Sequence, residues 1–180
     1  REELKKSISS LEDFLESLEM KITINSADEM TMPRIVRMVN KTNQFNMTTR
    51  RYTDVELEKM REARKDFNIY NLQLSDRFGD EGIVGVAIVR KEPETWILDS
   101  FLLSCRVIGR KVETAFLAKI VEDAKGQGVA ALIGEYIPTQ KNAPVKSFYA
   151  DHGFEKLSQE GKLYKWRFDL IKSTVETPKW

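Results

Sequence analysis

The sequence predicts an α/β sandwich built around a mixed sheet. Apolar residues switch between helical spacing and strand alternation, and after one N-terminal helix they give the order β-α-α-β-β-β-α-β-α-β. Two turn-forming stretches, Gly79–Gly82 and Lys91–Glu94, join three successive strands as hairpins. The length of 180 residues suits one domain with a substantial core.

The N-terminal segment is an amphipathic helix, because Leu4, Ile8, Leu11 and Leu15 recur at three- and four-residue spacing. We expect residues 1–19 to form a connector helix. Since the chain starts at Arg1 directly in a helical pattern, we interpret it as a domain cut from a longer protein. Residues 20–172 are then the α/β domain, and residues 173–180 a C-terminal tail.

Local signals place the remaining elements. A proline at position 33 follows the N-cap Thr31, the run Thr53–Glu56 is a capping box, and Gly126 ends the strongest helix. The elements predicted from these signals and from periodicity are a strand at 20–25, helices at 31–42 and 53–65, strands at 68–76, 83–90 and 95–104, a helix at 111–125, a strand at 129–136, a helix at 143–151 and a strand at 162–170.

Composition excludes several classes of protein. The net charge of +1 argues against a dedicated nucleic-acid binder. A single cysteine allows no internal disulfide and fits a reducing cytosol, and no apolar run approaches the roughly 20 residues that span a membrane. One histidine and one cysteine without a carboxylate cluster support no metal site. We therefore expect a cytoplasmic protein that binds neither membrane nor nucleic acid.

The stretch Arg106–Lys111 lies where an apolar strand is followed by a long helix. A helix N-terminus has unpaired N–H groups and a positive dipole end, and a glycine lets the backbone approach a ligand closely. With Arg106, Arg110 and Lys111 adding positive charge, the stretch is a candidate phosphate cradle. The alternative is a solvated, charged helix start with a glycine turn.

Two motifs resemble the GNAT fold of N-acetyltransferases. The signature Gln/Arg-x-x-Gly-x-Gly/Ala, whose backbone amides hold the pyrophosphate of coenzyme A in that fold, is similar to Arg106-Val107-Ile108-Gly109-Arg110-Lys111, although Lys111 stands where a small residue is usual. The stretch Asn142–Phe154 resembles the "N…A…FY…GF" segment of the fold. The resemblance implies a mixed, mainly antiparallel sheet flanked by helices, and it puts Tyr149 in the place of the tyrosine that protonates the departing thiolate.

A closer resemblance links two other stretches to the C-terminal part of FkbH-like proteins. The stretches are "NKTNQFNMTTRRYT" (Asn40–Thr53) and "FLLSCRVIGRKVE" (Phe101–Glu113). In that family a phosphatase-type domain of the haloacid dehalogenase superfamily precedes an acetyltransferase-like domain, and the family is associated with glyceryl thioesters on acyl carrier proteins, which lead to methoxymalonyl units for polyketides. The Asp-x-Asp-x-Thr/Val motif of the phosphatase domain does not occur in this sequence.

These resemblances imply a ligand and its contacts. The ligand is coenzyme A or a carrier-bound phosphopantetheine, and the partner is an acyl carrier protein. The side chain of Lys111 would crowd a pyrophosphate but suits a single phosphodiester on an acidic carrier, or it swings out to a ribose phosphate. The residues expected to bind the ligand are Leu103, Ser104, Arg106, Val107, Ile108, Gly109, Arg110, Lys111 and Asn142.

Four residues are candidates for catalysis. Cys105 lies beside cations and a helix N-terminus, which favour a thiolate that carries an acyl group, or it is a buried, inert end of the strand. Asp99, by alternation on the same strand face as Phe101, either has a satisfying partner or acts as a base, and Glu135 is a weaker base candidate or a solvated strand end. Tyr149 is either a general acid or an amphipathic core tyrosine.

Two further features have open interpretations. The dense polar segment Asn43–Arg51 either borders the acceptor site or is a solvated connector. His152, beside a helix end, is interpreted as a structural contact. The sequence as a whole predicts an acyltransferase-like domain of an FkbH-like protein, with two alternatives: a coenzyme A-dependent N-acetyltransferase, or a catalytically silent module that docks an acyl carrier.

Overall fold

The computed structural model describes residues 2–180 and the side-chain environments from residue 10 onward. Its helices are α1 (Glu2–Ser17), α2 (Met32–Lys41), α3 (Asp54–Glu62), α4 (Val112–Gly126) and α5 (Phe148–Asp151). Its strands are β1 (Lys21–Ser26), β2 (Phe45–Asn46), β3 (Phe67–Asp76), β4 (Gly79–Lys91), β5 (Thr95–Leu103), β6 (Ala131–Tyr136), β7 (Glu155–Glu160) and β8 (Leu163–Asp169).

The strands form one sheet in the order β1-β3-β4-β5-β6-β8-β7, with the short β2 paired to β5. All pairs are antiparallel except β5 with β6, which is parallel because α4 crosses over between them. This mixed, mainly antiparallel sheet flanked by helices confirms the predicted fold class.

The sheet separates two apolar clusters. Residues of α2 and α3, such as Ile35 and Leu57, belong to one cluster. The other contains the end of α1, the inner face of α4 with Phe116, and α5 with Phe148. Leu15 in α1 is buried in this second cluster, so the predicted connector helix packs onto the domain.

Four predicted elements differ from the structure. The polar segment expected to be a loop contains β2, and residues 155–160, to which no element was assigned, form β7. The predicted helix over 143–151 is a 3-10 turn followed by the four-residue α5. The stretch Gly79–Gly82, predicted as a hairpin turn, is the start of β4, where shifts of register let glycine and aspartate remain paired to β3.

A bulge in β5 changes the expected strand faces. The partner of Leu98 is Val89 and that of Ser100 is Ile88, so Asp99 is an extra residue in the pairing. As a result Leu98 shares an apolar cluster with Phe101, so the simple alternation from which the face of Asp99 was predicted is interrupted at that residue. No helix within residues 2–180 is long and apolar enough to cross a membrane.

Candidate functional site

A cavity of about 530 Å³ opens beside the carboxyl end of β5. Its walls are α2, the segment leading into β2, and the corner Leu103–Cys105. The corner turns sharply because the Ser104 Oγ accepts a hydrogen bond from the Arg106 N–H at 3.4 Å, which caps a 3-10 turn over Cys105–Val107. A volume of this size is in the range of small-molecule sites.

Cys105 lines this cavity and its side chain is exposed. The interpretation of Cys105 as a buried end of the strand is therefore wrong. The strand stops at Leu103, and the turn capped by Ser104 carries the cysteine out of the sheet. Its thiol is open to solvent and to any ligand in the cavity.

Four cationic side chains surround the same cavity: Arg34, Arg37, Lys41 and Lys141. The first three lie at i, i+3 and i+7 of α2 and so share one face of that helix. No acidic side chain in the described part of the chain forms an ion pair with any of the four. The cavity therefore has a surplus of positive charge beside a thiol.

The predicted cradle, by contrast, has little free charge. Arg106 pairs with Glu81 at 2.9 Å and Arg110 pairs with Asp76 at 3.2 Å. The positive charge expected of these two arginines is thus partly balanced, because β4 supplies a carboxylate for Arg106 and β3 one for Arg110. Only Lys111, which is exposed, forms no ion pair within the described residues.

The backbone of the cradle still has the shape that a phosphate requires. Gly109 has a φ of 88° and no atom lies within 4 Å of the position of an added Cβ, so a ligand has room to approach. Lys111, the N-cap of α4, is also left-handed, with a φ of 62°. The Nε1 of Trp180 donates to the Arg110 carbonyl at 3.0 Å, so the C-terminal tail packs against the edge of the cradle.

The other residues predicted to bind the ligand fall into two groups, buried residues and residues accessible from the surface. Leu103 and Val107 are buried in the apolar core and anchor the turn. Ile108 is exposed, and Ser104 lines the cavity. Asn142 is fully buried and donates from Nδ2 to the carbonyl oxygens of Asn46 and Ile137 at 2.9 Å each, so its contacts are with the chain itself.

A buried charged cluster links the centre of β5 to β6. The Arg50 Nη1 lies 2.8 Å from an oxygen of Asp99 and 2.7 Å from an oxygen of Glu135. The hydroxyls of Tyr52 and Ser100 donate to the second oxygen of Asp99, at 2.8 and 2.9 Å. Asp99 thus has satisfying partners, and Glu135 is a buried, paired group rather than a solvated strand end.

Arg50 is the residue of this cluster that sequence reasoning did not single out. Burial lowers its pKa, but the hydrogen bond to Glu135 and the charge of Asp99 outweigh burial, and the net effect raises it. Burial, together with the neighbouring Asp99 carboxylate, also raises the pKa of Tyr52. Arginine and tyrosine are therefore held in their protonated forms, as donors to the two carboxylates. The available sequence signal for this cluster was an arginine in a polar stretch together with two acidic strand residues. The pairing could not be read from it, because Asp99 and Glu135 are 49 and 85 positions away from Arg50.

Tyr149 lies in the core, where it is 1% exposed. Its ring packs directly on Gly134 of β6, and its hydroxyl has no hydrogen-bond partner among the described residues. Burial raises the pKa of this hydroxyl. Tyr149 is not among the residues that line the cavity at Cys105.

The groove between β5 and β6 is occupied by the chain itself. The two strands pair only as far as Leu98 and Gly134 and then separate. Phe45 and Asn46 of β2 pair with β5 in this gap. Met47 completes the closure, because its N–H donates to the Phe101 carbonyl at 3.1 Å and its carbonyl accepts from the Ile137 N–H at 2.9 Å.

This arrangement tests whether coenzyme A fits as the resemblance implies. The phosphate end would lie at Gly109 and the thiol end at Tyr149. Between them Phe45 packs against Phe101 and Phe148, with ring centroids 6.2 and 5.4 Å away. The open space at Gly109 leaves room for a phosphate, whereas Phe45 and its aromatic neighbours pack in the apolar core that also contains Tyr149.

His152 contacts the chain through both ring nitrogens. Nδ1 lies 2.8 Å from the Phe148 carbonyl oxygen and Nε2 lies 2.8 Å from the Thr114 hydroxyl. The residue thus joins the end of α5 to the first turn of α4. Among residues 2–180, no group of three or more His, Cys, Asp or Glu side chains is placed to hold a metal ion.

Comparison with solved structures gives the fold a name. The chain superposes on an acetyltransferase of the GNAT family from Desulfovibrio desulfuricans with a TM-score of 0.63 and 18% identity, over 83% of this chain and 99% of that one. The PaiA N-acetyltransferase of Thermoplasma acidophilum, solved in complex with coenzyme A, gives 0.67 and 12% over 83% and 99%. A ribosomal-protein-alanine N-acetyltransferase of Brucella melitensis gives 0.58 and 18% over 82% and 99%.

The chain therefore has the GNAT fold of acetyltransferases. No protein-family model matches the chain, and no curated protein matches it in sequence. These similarities concern the fold, so the activity has to be argued from the site.

Proposed function

We propose that this domain is an acyltransferase that handles acyl groups as thioesters, with Cys105 as the nucleophile that accepts the acyl group. The observation that carries the proposal is the position of the only cysteine of the chain, which is exposed in a cavity surrounded by four cations that form no ion pair within the described residues. Its exposure leaves the thiol open to attack on an incoming thioester, and the neighbouring cations can hold an anionic ligand beside it.

The chemistry is an exchange of thioesters. The Cys105 thiolate attacks the carbonyl carbon of an incoming thioester, a new carbon–sulfur bond forms to Sγ, and the donor sulfur leaves as a thiolate. The departing thiolate takes up the proton that Cys105 lost. The reverse sequence, with a different thiol as acceptor, then passes the acyl group on.

The finer part of the proposal follows the FkbH-like resemblance. We propose that the acyl group is a glyceryl unit, that the acceptor is the phosphopantetheine thiol of an acyl carrier protein, and that a phosphatase-type domain precedes this one. An acidic carrier would find complementary charge on the exposed Arg37, Lys41 and Lys141.

A second candidate function is N-acetyl transfer from acetyl coenzyme A, which the solved structures of this fold favour. In that case Cys105 has no covalent role, and β2 must leave the groove for the acyl group to approach Tyr149. The silent docking module is the third possibility, in which the cavity binds but no acyl group is transferred.

Intact-mass analysis separates the three functions. The protein is incubated with a glyceryl thioester of a carrier or of N-acetylcysteamine, and we expect an added glyceryl mass that hydroxylamine removes and that Cys105→Ala abolishes. If acetyl coenzyme A instead acetylates an amine acceptor equally well with Cys105→Ala, and Tyr149→Phe slows that reaction, the N-acetyltransferase is correct. Ligand binding without either reaction indicates a silent module.

The thiol itself gives a simpler prediction. Because Cys105 is exposed, iodoacetamide should alkylate the folded protein at a rate similar to that in denaturant, and a ligand in the cavity should slow the reaction. Mass spectrometry after timed quenching gives both rates, with Cys105→Ser as the blank. A thiol that reacts only after unfolding would contradict the placement of Cys105 and the nucleophile proposal with it.

A further inference from the structure

The segment Phe45–Thr48 behaves as an additional strand that is anchored from several directions. Asn142, fully buried, holds the Asn46 carbonyl through its amide. The Thr48 hydroxyl donates to the Asp99 carbonyl at 3.0 Å. The backbone of Met47 also bonds to Phe101 of β5 and to Ile137, the residue after β6, so backbone groups exposed where the two strands separate find partners within the chain.

The segment is also fastened by charge. Arg50, two residues beyond Thr48, bridges Asp99 of β5 and Glu135 of β6. Opening the groove would separate this cation from two carboxylates that are 7% and 3% exposed, and leaving such charges unpaired is costly. The closed groove is therefore the stable state of the domain.

The positive charge that is available to a ligand lies outside the glycine cradle, on α2 and at Lys141. The cradle arginines are neutralised by Asp76 and Glu81. The three cations of α2 and Lys141 have no such partners within the described chain and surround an open cavity that contains the thiol. Unpaired cations on one helix face attract a phosphate more strongly than cations that are already paired.

We propose that this domain binds the phosphate of a phosphopantetheine arm on the cationic face of α2, formed by Arg34, Arg37 and Lys41 with Lys141 opposite, and not at the glycine cradle. The arm then runs in the cavity outside β2 and brings its sulfur to Cys105, while the groove between β5 and β6 stays closed. The inference rests on the proposed function for the role of Cys105, but the phosphate site stands on the charges and the closed groove alone.

The first test compares two ligands that differ by one phosphate. Calorimetric titration of the whole chain with 4′-phosphopantetheine and with pantetheine should show at least about tenfold tighter binding of the phosphorylated form, the usual effect of a charge-assisted hydrogen bond. In the double variant Arg34→Gln/Arg37→Gln the two ligands should bind equally. Arg167→Gln, a change at an exposed arginine outside the cavity, is the matched control and should leave the difference intact.

The second test reports on the groove. Hydrogen exchange at the amides of Met47 and Ile137, which are bonded to Phe101 and Met47, should be equally slow with and without 4′-phosphopantetheine. Loss of protection at these two amides on binding would show the arm entering the groove and would overturn the proposal. Equal affinity of 4′-phosphopantetheine and pantetheine for the unmodified protein would also overturn the proposal. So would a loss of binding in Arg106→Gln when the α2 double variant binds normally.

Two further experiments identify the source of the phosphate and distinguish failure of this proposal from failure of the proposed function. In coenzyme A the phosphate of the pantetheine arm is joined to a nucleotide, whereas in a holo carrier protein it is a phosphodiester on a serine. Whichever of the two ligands binds should bind the α2 double variant more weakly. Cys105→Ala should bind 4′-phosphopantetheine as the unmodified protein does. If glyceryl transfer to Cys105 is observed but the α2 variant binds normally, the phosphate site is wrong and the acyltransferase stands.

Discussion

At the scale of single residues, Asp99 shows how a buried carboxylate is satisfied. It is an extra residue in the pairing of β5, and it is met by Arg50, Tyr52 and Ser100. Arg50 in turn has two carboxylates, and its side chain is only one quarter exposed. The cluster holds the polar segment onto the sheet instead of providing a free base.

Replacing Arg50 by methionine tests this role. The change leaves Glu135 buried without its cation and leaves Asp99 with only the longer ion pair to Arg90, at 3.6 Å, and we expect it to lower the free energy of unfolding by about 3 kcal/mol. Arg61→Met, which removes an i,i+3 surface pair with Glu58, should cost less than about 1 kcal/mol. Urea denaturation of both variants gives the comparison, and equal costs would contradict a structural role for the buried cluster.

Gly134 gives a second prediction at this scale. A Cβ there would lie 2.5 Å from ring atoms of Tyr149, inside van der Waals contact. Because the ring is enclosed in the core, Gly134→Ala should destabilise the domain by about 1–3 kcal/mol. Gly126→Ala, at a helical position with open space around the Cβ, should be neutral or stabilise by up to about 1 kcal/mol. Thermal unfolding of the two alanine variants measures the difference, and equal unfolding temperatures would contradict the close packing of Tyr149 on Gly134.

At the scale of elements, α3 illustrates a helix start that local sequence specifies completely. The Thr53 hydroxyl accepts from the Glu56 N–H at 3.1 Å, and Glu56 accepts from the Thr53 N–H at 3.0 Å. Hydrogen bonds to the Glu56 carboxylate, first from the Thr53 backbone and then from the Thr53 side chain, lower the pKa of Glu56.

The lowered pKa predicts how stability depends on pH. A carboxyl group whose pKa is lower in the folded state adds stability above its unfolded pKa of about 4.3, and this stability is lost as pH falls through the folded pKa. Glu56→Gln keeps the hydrogen-bond geometry without the charge, so it should be less stable than the unmodified protein at pH 7 and equally stable at pH 2. Urea denaturation between pH 2 and 7 measures the difference. A constant difference over that range would show that the charge plays no part in the cap.

At the scale of the whole molecule, one sheet carries both apolar clusters. The cluster of α2 and α3 and the cluster of α1, α4 and α5 share the strands β3, β4 and β5. Neither cluster can lose its packing without exposing the strands that support the other. The domain should therefore unfold as one cooperative unit.

A destabilising substitution in one apolar cluster should therefore shift the unfolding transition of the other cluster as well. Leu57→Ala, in the cluster of α2 and α3, should cost about 2–5 kcal/mol. It should shift the tryptophan fluorescence transition by the same amount as the circular dichroism transition, because Trp96 belongs to the opposite cluster and Trp166 and Trp180 pack against that cluster. Val55→Ala on the same helix, at a residue 59% exposed, is the control and should shift neither. Separate transitions for the two probes would contradict the single unit.

Much of the fold was predictable from local signals. Helical spacing predicted α1, a proline in the first turn predicted α2, and a capping box predicted α3, and all three form within a few residues of the expected limits. The strands of the central sheet were predicted by their long apolar runs. The association with a phosphatase-type domain and with a carrier protein remains a prediction.

The site was predictable only in its location. Sequence patterns pointed to the corner between β5 and α4, and the structure places an exposed Cys105 and an open Gly109 there. The state of its charges was not predictable, because the partners of Arg106 and Arg110 lie on β3 and β4, 25 and 34 residues away. The same holds for Tyr149, whose burial depends on Gly134 of another strand.

The sequence by itself determined the class of fold and the order of the main helices and strands, since both follow from periodicity, capping and turn residues that are close together in the chain. Only the tertiary structure decided that the groove between β5 and β6 is closed. A two-residue strand such as β2 has no period to detect, and its partners Leu103 and Leu102 lie 58 and 56 positions further along the chain. The same packing, acting between distant residues, neutralised the cradle and left the unpaired positive charge on α2.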